Sequence, residues 1–307
     1  MINHTELKSN REKFLALTGL TPEEFQRLLV AFRHSYERRF PSNQTMTGRS
    51  RQRPVGAGRK SSLDRPEQKL LFILVYLKTY TLQVILRELF DMSQPRANQW
   101  IHRLLPILRD ALDELGVLPE RTAEHFGERQ TGLGKPTFII DATERRRQRP
   151  KNPEKQARFY SGRKKKHCDK NVVIVPVQNQ RVAFVSRTYA GKIHEKKILD
   201  QESIVYPPGT TLYKDTGFQG YEPLVKKTCQ PKKKTRSKEL TPAEKRANRR
   251  LASIRVNVEH AIAGVKRSRI VKDVFRNTKE GDSDSVMEAA CGLHNLRVRS
   301  GKKRLTS

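Results

Sequence analysis

Residues 137–143 read Thr-Phe-Ile-Ile-Asp-Ala-Thr, a short apolar and β-branched run that contains a single carboxylate. Such a run is typical of a buried strand, so it predicts that Asp141 is delivered to the end of a strand. Three later runs have the same character: Lys170–Pro176, Val182–Arg187 and Thr211–Lys214. The last of these leads directly into Asp215. With helical segments between and after them, these strands predict a mixed α/β domain.

Helix-starting signals flank the predicted strands on both sides. Thr21-Pro22-Glu23-Glu24 is a capping box with proline at the first helical position, and it predicts a helix over residues 20–38. Residues 41–61 are polar, basic and glycine-rich, which predicts either a solvated linker or an arm lying along DNA phosphates. A second capping box, Thr241-Pro242-Ala243-Glu244, opens a predicted long helix that runs to about Lys266.

Residues 66–114 carry only helical patterns. The first predicted helix includes Gln68 to Leu77, Thr81 is expected to cap the second, and Ser93 is expected to cap the third after a short turn. The third helix turns polar side chains outward, among them Arg96, Gln99 and Arg103. This arrangement predicts a helix-turn-helix whose third helix reads base edges, and the alternative is an ordinary three-helix bundle.

The composition points to a polyanionic partner. The chain of 307 residues holds 63 Lys and Arg against 32 Asp and Glu, a formal net charge of +31. A simply basic, ribosomal-type protein is the alternative, but a chain of this length can bury one large core or two smaller ones. Three widely spaced cysteines without a CxxC pair favour a reducing compartment and argue against structural zinc. No signal sequence or apolar run of about 18 residues occurs, so the expected location is cytoplasmic and nucleoid-associated.

Three acidic residues stand out as candidate ligands. Asp141 and Asp215 each follow an apolar run, and Glu259 shares one face of the predicted long helix with Arg255 and Lys266. Taken singly, the aspartates could be turn residues and the helix face could be a solvated ion pair. Taken together, they predict that two adjacent strands deliver both aspartates to one sheet edge and that a packed helix adds Glu259.

Carboxylates gathered in this way repel one another unless cations neutralise them. Mg²⁺ or Mn²⁺ prefers oxygen ligands and takes substrate phosphate oxygens as further ligands. Two ions roughly 3.5–4 Å apart would activate a water or a 3′-hydroxyl and stabilise the leaving oxygen. Arg255 and Lys266 are expected to hold the DNA backbone nearby. Two basic stretches, 142–170 and 225–250, are expected to flank the site, and four residues of the first are assigned to DNA binding: Arg163, Lys164, Lys165 and Lys166.

At these residues the chain resembles the DDE transposases of bacterial insertion sequences, in particular the insertion-sequence-five group. The spacing R-x3-E-x6-K of Arg255, Glu259 and Lys266 is similar to their C-terminal signature. Ile139–Glu144 resembles their first motif, Asp215–Phe218 resembles the second, and Gly191–Glu195 resembles the segment between them. The resemblance covers residues 60–300 and implies a ribonuclease-H-like core with a metal-binding catalytic triad: Asp141, Asp215 and Glu259.

The predicted organisation has three parts. An N-terminal helix and basic linker cover 1–61, an all-α helix-turn-helix DNA-binding domain covers 62–118, and an α/β, ribonuclease-H-like DDE catalytic domain covers 135–300. The resemblance implies a transposase that binds terminal inverted repeats of double-stranded DNA and works as a homodimer or higher oligomer, away from membranes. It would cleave DNA by hydrolysis that depends on Mg²⁺ or Mn²⁺, and join the 3′-hydroxyl to target DNA by transesterification.

Two alternatives stay open. The first is a non-catalytic DNA-binding regulator or an inactivated transposase-derived protein, against which the presence of all three carboxylates argues. The second is a plain nuclease, which would cut DNA without joining strands.

Overall fold

The computed structural model describes residues 2–44, 49–50, 62–129, 136–234 and 239–304. These residues form two compact units. The first unit contains Met1–Leu118, Lys266–Asp273 and Ser285–Ser307, and the second contains Pro119–Val265 and Val274–Asp284. Two segments of the range 135–300 thus pack in the first unit, which the sequence-based domain boundaries did not anticipate. Most of the linker predicted at 41–61 lies outside the described residues.

Helices build the first unit. They are α1 His4–Lys8, α2 Arg11–Thr18, α3 Pro22–Arg39, α4 Pro66–Thr79, α5 Gln83–Phe90 and α6 Gln94–Glu114. The capping box predicted for α3 is confirmed, because the Thr21 hydroxyl accepts from the Glu24 amide and the Glu24 carboxylate accepts from the Thr21 amide. Helix α4 is buried along most of its length, and Leu70 to Leu77 form much of the core of this unit.

The helix-turn-helix elements lie where the sequence predicts them. The turn between α5 and α6 begins at Asp91, whose φ of 49° places it in the left-handed region. Thr81 does not cap α5, because the helix begins at Gln83 with Leu82 as its N-cap and no side-chain capping bond. Burial of Leu86 and Phe90 on one face, rather than a cap, therefore fixes this helix.

A mixed sheet forms the second unit. Its strands are β1 Thr137–Arg146, β2 Tyr160–Ser161, β3 Lys166–Pro176, β4 Phe184–Val185, β5 Tyr189–Ala190, β6 Thr211–Tyr213 and β7 Lys227–Cys229. The order is β2-β3-β1-β6-β7, with β4 and β5 also paired to β3. Strand β3 pairs antiparallel with β1, β2, β4 and β5. Strand β6 pairs parallel with both β1 and β7. This ribonuclease-H-like arrangement confirms the predicted fold class.

Helices complete the second unit around the sheet. They are α7 Ala123–Arg129, α8 Pro153–Phe159, α9 Glu195–Glu202 and α10 Pro242–Val265, whereas α11 Asp282–Arg304 belongs to the first unit from Ser285 onward. Aromatic and aliphatic side chains from α7, α9 and the sheet form one core, including Phe126, Phe138 and Leu199. The capping box predicted at the start of α10 is confirmed by two hydrogen bonds between Thr241 and Glu244. Within the described ranges, no helix is both long and apolar enough to cross a bilayer.

Strand β1 is longer than the sequence predicts. It does not end near Asp141 but continues to Arg146 alongside β3. Only the parallel ladder with β6 stops early, at the pair Ile139 and Tyr213. Asp141 is therefore an interior residue of β1 that lies just beyond the end of this parallel ladder.

Charged residues extend β1 and β3 because they are matched across the two strands. Glu144 pairs in register with Lys170, and their charged groups lie 3.6 Å apart. Arg147 Nη1 lies 2.7 Å from Asp169 Oδ1, and Arg145 is only 2% exposed. Within the basic stretch 142–170, Arg145 and Arg147 therefore make contacts inside the second unit. They do not form the DNA-facing flank that the sequence suggested.

Candidate active site

Asp141 and Asp215 occupy equivalent positions next to neighbouring parallel strands. Thr137 pairs with Thr211 and Ile139 pairs with Tyr213, so each aspartate lies two residues beyond the last pair. Because adjacent strands are about 4.8 Å apart, equal positions bring the two side chains to the same part of the sheet. The topology therefore brings together the two aspartates that were singled out in the sequence.

Asp215 is held by the turn that follows β6. Its Oδ1 accepts a hydrogen bond from the Thr216 amide at 2.7 Å, which caps a short 3₁₀ helix over Thr216–Phe218. Its backbone carbonyl accepts a hydrogen bond from Gln230 Nε2, also at 2.7 Å. These contacts fix the direction of the carboxylate without using its second oxygen.

The environment of Asp141 disfavours its negative charge. Burial is the largest effect and raises the pKa of this carboxyl to about 6. A hydrogen bond from the Ala142 amide and the nearby Arg255 lower the pKa, whereas the charges of Asp215 and Glu195 raise it. A bound cation would relieve this repulsion, which makes the oxygen donors here chemically suited to a divalent metal.

Arg255 binds an aspartate rather than standing free for DNA. Helix α10 packs against β1 and β3, and Arg255 Nη1 lies 3.2 Å from Asp215 Oδ1. Both side chains are partly buried, so solvent screens the pair less than it would on an open surface. The expected DNA-backbone contact of Arg255 remains a prediction, and the observed partner of its guanidinium is Asp215.

Glu259 follows Arg255 by one helical turn on α10. It is exposed, whereas the neighbouring Val258 is buried. Among the residues that the structure describes, no three His, Cys, Asp or Glu side chains are close enough to hold a metal together. The helix thus carries Glu259 on the element that reaches Asp215, but the three predicted ligands do not form a closed cluster.

Glu195 is a carboxylate that sequence reasoning did not assign to the site. It is the first residue of α9, directly after the N-cap His194, and its side chain is 12% exposed. The Glu195 carboxylate lies directly against Gly217, where an added Cβ would displace it. Its charge also acts on Asp141. The motif Gly191–Glu195 was noticed in the sequence, but no spacing rule indicated that α9 would bring Glu195 beside Gly217.

A cleft opens at Asp215. Its lining residues are Arg163, His194, Asp215, Thr216, Gly217, Gln219 and Lys233. Arg163 belongs to the four-residue turn between β2 and β3, where Ser161 pairs with Lys166. Its Nη1 lies 3.4 Å from Glu195 Oε1. Of the predicted basic run Arg163–Lys166, one member therefore faces the cleft, while Lys164 and Lys165 are exposed in the turn.

The other predicted DNA contacts belong to the first unit. Arg96 and Gln99 are exposed on α6, as a base-reading role requires. Arg103 instead packs on the ring of Trp100, with its guanidinium carbon 4.9 Å from the ring centroid. Trp100 is 6% exposed, which confirms its predicted place in the core. Lys266 follows the last residue of α10 and is also part of the first unit.

Comparison with known proteins agrees with this arrangement. The family described as DDE superfamily endonuclease matches residues 140–295, slightly more than half of the 307 residues. This chain belongs to the DDE superfamily endonucleases. The family described as the helix-turn-helix of DDE superfamily endonuclease matches residues 61–114, the range of α4 to α6. The resemblance stated from the sequence motifs is thereby confirmed.

The chain is also similar to one curated protein. It is the "Probable transposase for insertion sequence element IS702" of Microchaete diplosiphon, and it is 27% identical over 139 residues. The matched region is 45% of this chain and 49% of the relative, so the chain spans about half the length of that protein. No solved structure matches the chain.

Proposed function

We propose that this DDE superfamily endonuclease is the transposase of a bacterial insertion sequence. The observation that carries the proposal is the in-register placement of Asp141 and Asp215, with α10 bringing Arg255 onto Asp215 and carrying Glu259 one turn further. The helix-turn-helix match and the similarity to a probable insertion-sequence transposase support the same role. The protein would act on DNA in the bacterial nucleoid.

The proposed catalytic residues are Asp141, Asp215 and Glu259, whose oxygens would hold Mg²⁺ or Mn²⁺. Two such ions supply Lewis acidity at the attacking and leaving oxygens of a phosphodiester. Asp141 and Asp215 provide adjacent carboxylates whose directions are set by the Ala142 and Thr216 amides. Arg255 holds Asp215 from the helix side and offsets part of its charge.

The proposed reaction has two steps that use the same carboxylates. In cleavage, a water oxygen attacks phosphorus, the bond from phosphorus to the 3′-oxygen breaks, and a 3′-hydroxyl and a 5′-phosphate result. In joining, that 3′-hydroxyl attacks a phosphorus of the target DNA, loses its proton and releases a target 3′-hydroxyl. No outside oxidant, reductant or energy source is required, because one phosphodiester replaces another in the second step.

Recognition of the element ends is assigned to α6 of the helix-turn-helix. Its exposed Arg96 can donate two hydrogen bonds to guanine, and Gln99 can pair with adenine. Two inverted ends call for two bound copies of the recognition helix, so a homodimer or higher oligomer on double-stranded DNA is part of the proposal.

One observation favours a second candidate, a DNA-binding protein without catalysis. Within the described residues, the acidic side chains do not converge into a three-ligand group. In this alternative, the helix-turn-helix would bind DNA while the Arg255–Asp215 ion pair keeps the carboxylates neutralised.

A strand-transfer assay separates these candidates. The protein is mixed with labelled duplexes that carry the repeats flanking its coding sequence and with a target plasmid, in Mg²⁺, in Mn²⁺ or in EDTA. A transposase gives metal-dependent 3′-hydroxyl ends and joined products, whereas a plain nuclease gives cut ends alone. Binding without cutting in either metal would establish the non-catalytic alternative and reject the proposal.

A further inference from the structure

A short loop before α10 is fastened to that helix by an asparagine. Asn248 accepts a hydrogen bond from the Lys232 amide at 3.0 Å and donates one to the Lys232 carbonyl, also at 3.0 Å. Both backbone polar groups of one loop residue are thus bound by a single side chain. Because two hydrogen bonds fix both position and rotation, the direction of the next residue, Lys233, is set by α10.

The three lysines of this loop differ in their partners. Lys232 Nζ lies 3.0 Å from Glu244 Oε1, and Lys234 pairs with Glu239. Lys233 Nζ instead donates to the neutral amide oxygen of Gln219 at 3.3 Å. Within the described part of the chain, Lys233 is therefore the one of the three whose charge is not matched by a carboxylate.

The cleft gives this charge a place to act. Lys233 lines the cleft together with Asp215 and Arg163. Asp215 is already paired with Arg255, and Arg163 is already paired with Glu195. Among the described lining residues, Lys233 thus adds an unmatched positive charge beside a carboxylate of the proposed catalytic site.

We propose that Lys233 contacts a backbone phosphate of the DNA strand that enters this cleft, and that Asn248 is the positioning residue that aims it. An ammonium group is suited to a phosphate as a compact point charge with three donors. Gln219, which holds Lys233 through a neutral oxygen, can be exchanged for an anionic oxygen with a gain in interaction strength. The assignment rests on the proposed function, since it names the substrate group bound next to Asp215.

Neutralised phosphates provide the direct test. Single methylphosphonates are placed one at a time around the end of the element in the labelled duplex, and the Kd of the full-length protein is measured for each in EDTA. Wild type should lose about tenfold in affinity at one or two phosphates near the cleavage point, the usual size of a charge-assisted contact. Lys233→Gln should bind the unmodified duplex about tenfold more weakly and show no further loss at one of these phosphates.

Lys234→Gln is the matched control, because it removes the same charge from the adjacent residue that is paired with Glu239. It should keep the wild-type pattern of methylphosphonate sensitivity. If Lys233→Gln also keeps every sensitive phosphate, the proposed contact does not exist. Because these measurements do not require cutting, a failure of the transposase proposal would appear separately, as intact binding without cleavage.

The positioning role of Asn248 is tested by replacing it alone and together with Lys233. Asn248→Ala should lose sensitivity at the same phosphate as Lys233→Gln, and it should add little to the defect when both changes are combined. Asn248→Asp, which keeps the side-chain length and can still accept from the Lys232 amide, should recover part of the sensitivity. Equal, independent losses from the two changes would show that Asn248 merely supports α10 and would overturn its positioning role.

Discussion

Arg255 Nη1 lies 3.2 Å from Asp215 Oδ1, so a helix residue neutralises a carboxylate that the sheet presents. The same guanidinium also lowers the pKa of Asp141. One cation from α10 thereby acts on both aspartates. In a site built to bind divalent ions, such a cation competes electrostatically with the metal while it keeps the metal-free protein from bearing unbalanced charge.

Arg255→Ala should therefore strengthen metal binding and weaken catalysis. Loss of one positive charge near the carboxylates should tighten Mn²⁺ binding at least about fivefold, because ~1 kcal/mol is the Coulomb energy of two unit charges 4 Å apart even in bulk water. Cleavage should slow because Asp215 loses the ion pair that orients it. Mn²⁺ titration followed by electron paramagnetic resonance measures the first effect, with Arg249→Ala on the exposed face of α10 as control. Equal or weaker Mn²⁺ binding by Arg255→Ala would contradict this competition.

Removal of any proposed ligand should separate cutting from binding. Asp141→Ala, Asp215→Ala and Glu259→Ala should each abolish Mg²⁺-dependent cleavage and leave affinity for DNA unchanged or higher, because each removes a negative charge that repels phosphate. Gel-based cleavage and binding assays on one duplex test both statements. Asp200→Asn, an exposed acid of α9 paired with Lys196, is the control that should cleave normally. Full cleavage by any one of the three variants would remove that residue from the triad.

The raised pKa of Asp141 makes stability depend on pH in the absence of metal. Its folded pKa of about 6 lies above the ordinary 3.8, so the folded protein binds more protons between these values and loses stability as pH rises through them. Asp141→Asn should therefore raise the free energy of unfolding at pH 7 by about 1–3 kcal/mol over wild type. The gain should vanish below about pH 4.

Urea unfolding in EDTA at pH 4 and pH 7 measures this gain. Added Mg²⁺ should stabilise wild type at pH 7 more than it stabilises Asp141→Asn, since the variant lacks one of the three proposed carboxylate ligands. A variant that is no more stable than wild type at pH 7 would show that burial of Asp141 carries no such cost.

Recognition by α6 should depend on Arg96 and Gln99. Their joint replacement by alanine should relax the preference for the element ends, at a cost of roughly 1–3 kcal/mol for each base that is no longer read. Arg103→Ala should instead lower the thermal midpoint, because its guanidinium packs on Trp100 and Phe40. Footprinting and thermal unfolding of the variants distinguish the two effects. An unchanged footprint for the double variant would place base reading elsewhere.

The turn between β2 and β3 should set affinity without setting sequence preference. Replacing Arg163, Lys164, Lys165 and Lys166 with glutamine should weaken binding to all DNA similarly. It should also flatten the salt dependence by roughly 0.9 in log K per log salt for each phosphate that is no longer neutralised. Salt titrations on terminal and random duplexes provide the comparison. An unchanged slope would identify the run as a solvated surface, and a disappearing preference for the ends would show that it reads bases.

The sequence predicted those features that depend on local signals and strand order. The capping boxes at Thr21 and Thr241 mark helix starts because their partners lie three residues away. Asp141 and Asp215 are predicted to lie together because each is placed at a short apolar, strand-like run; the register of Thr137 with Thr211 that aligns them is seen only in the structure. Both inferences need only local sequence signals.

Features that arise from distant packing could not be read in the same way. Glu195 approaches Gly217 only because α9 packs beside the turn after β6. Arg147 resembled a DNA-facing cation until its partner Asp169, far along the chain, was placed on the neighbouring strand. A run of charged residues in a sequence shows the sign of the local charge. It does not show whether oppositely charged residues from a distant element already pair with that run.

The internal pairing of Arg147 with Asp169 also limits how the charge of this protein can be engineered. Because the formal net charge is +31, replacing arginines is an obvious way to ease purification and to reduce nonspecific binding to nucleic acid. Arg147→Gln would leave Asp169, 1% exposed, without its counter-ion, at a cost of roughly 3 kcal/mol or more. The net charge should instead be lowered by replacing exposed cations such as Lys13. Such a replacement reduces nonspecific binding to nucleic acid without destabilising the strands that position Asp141 and Asp215.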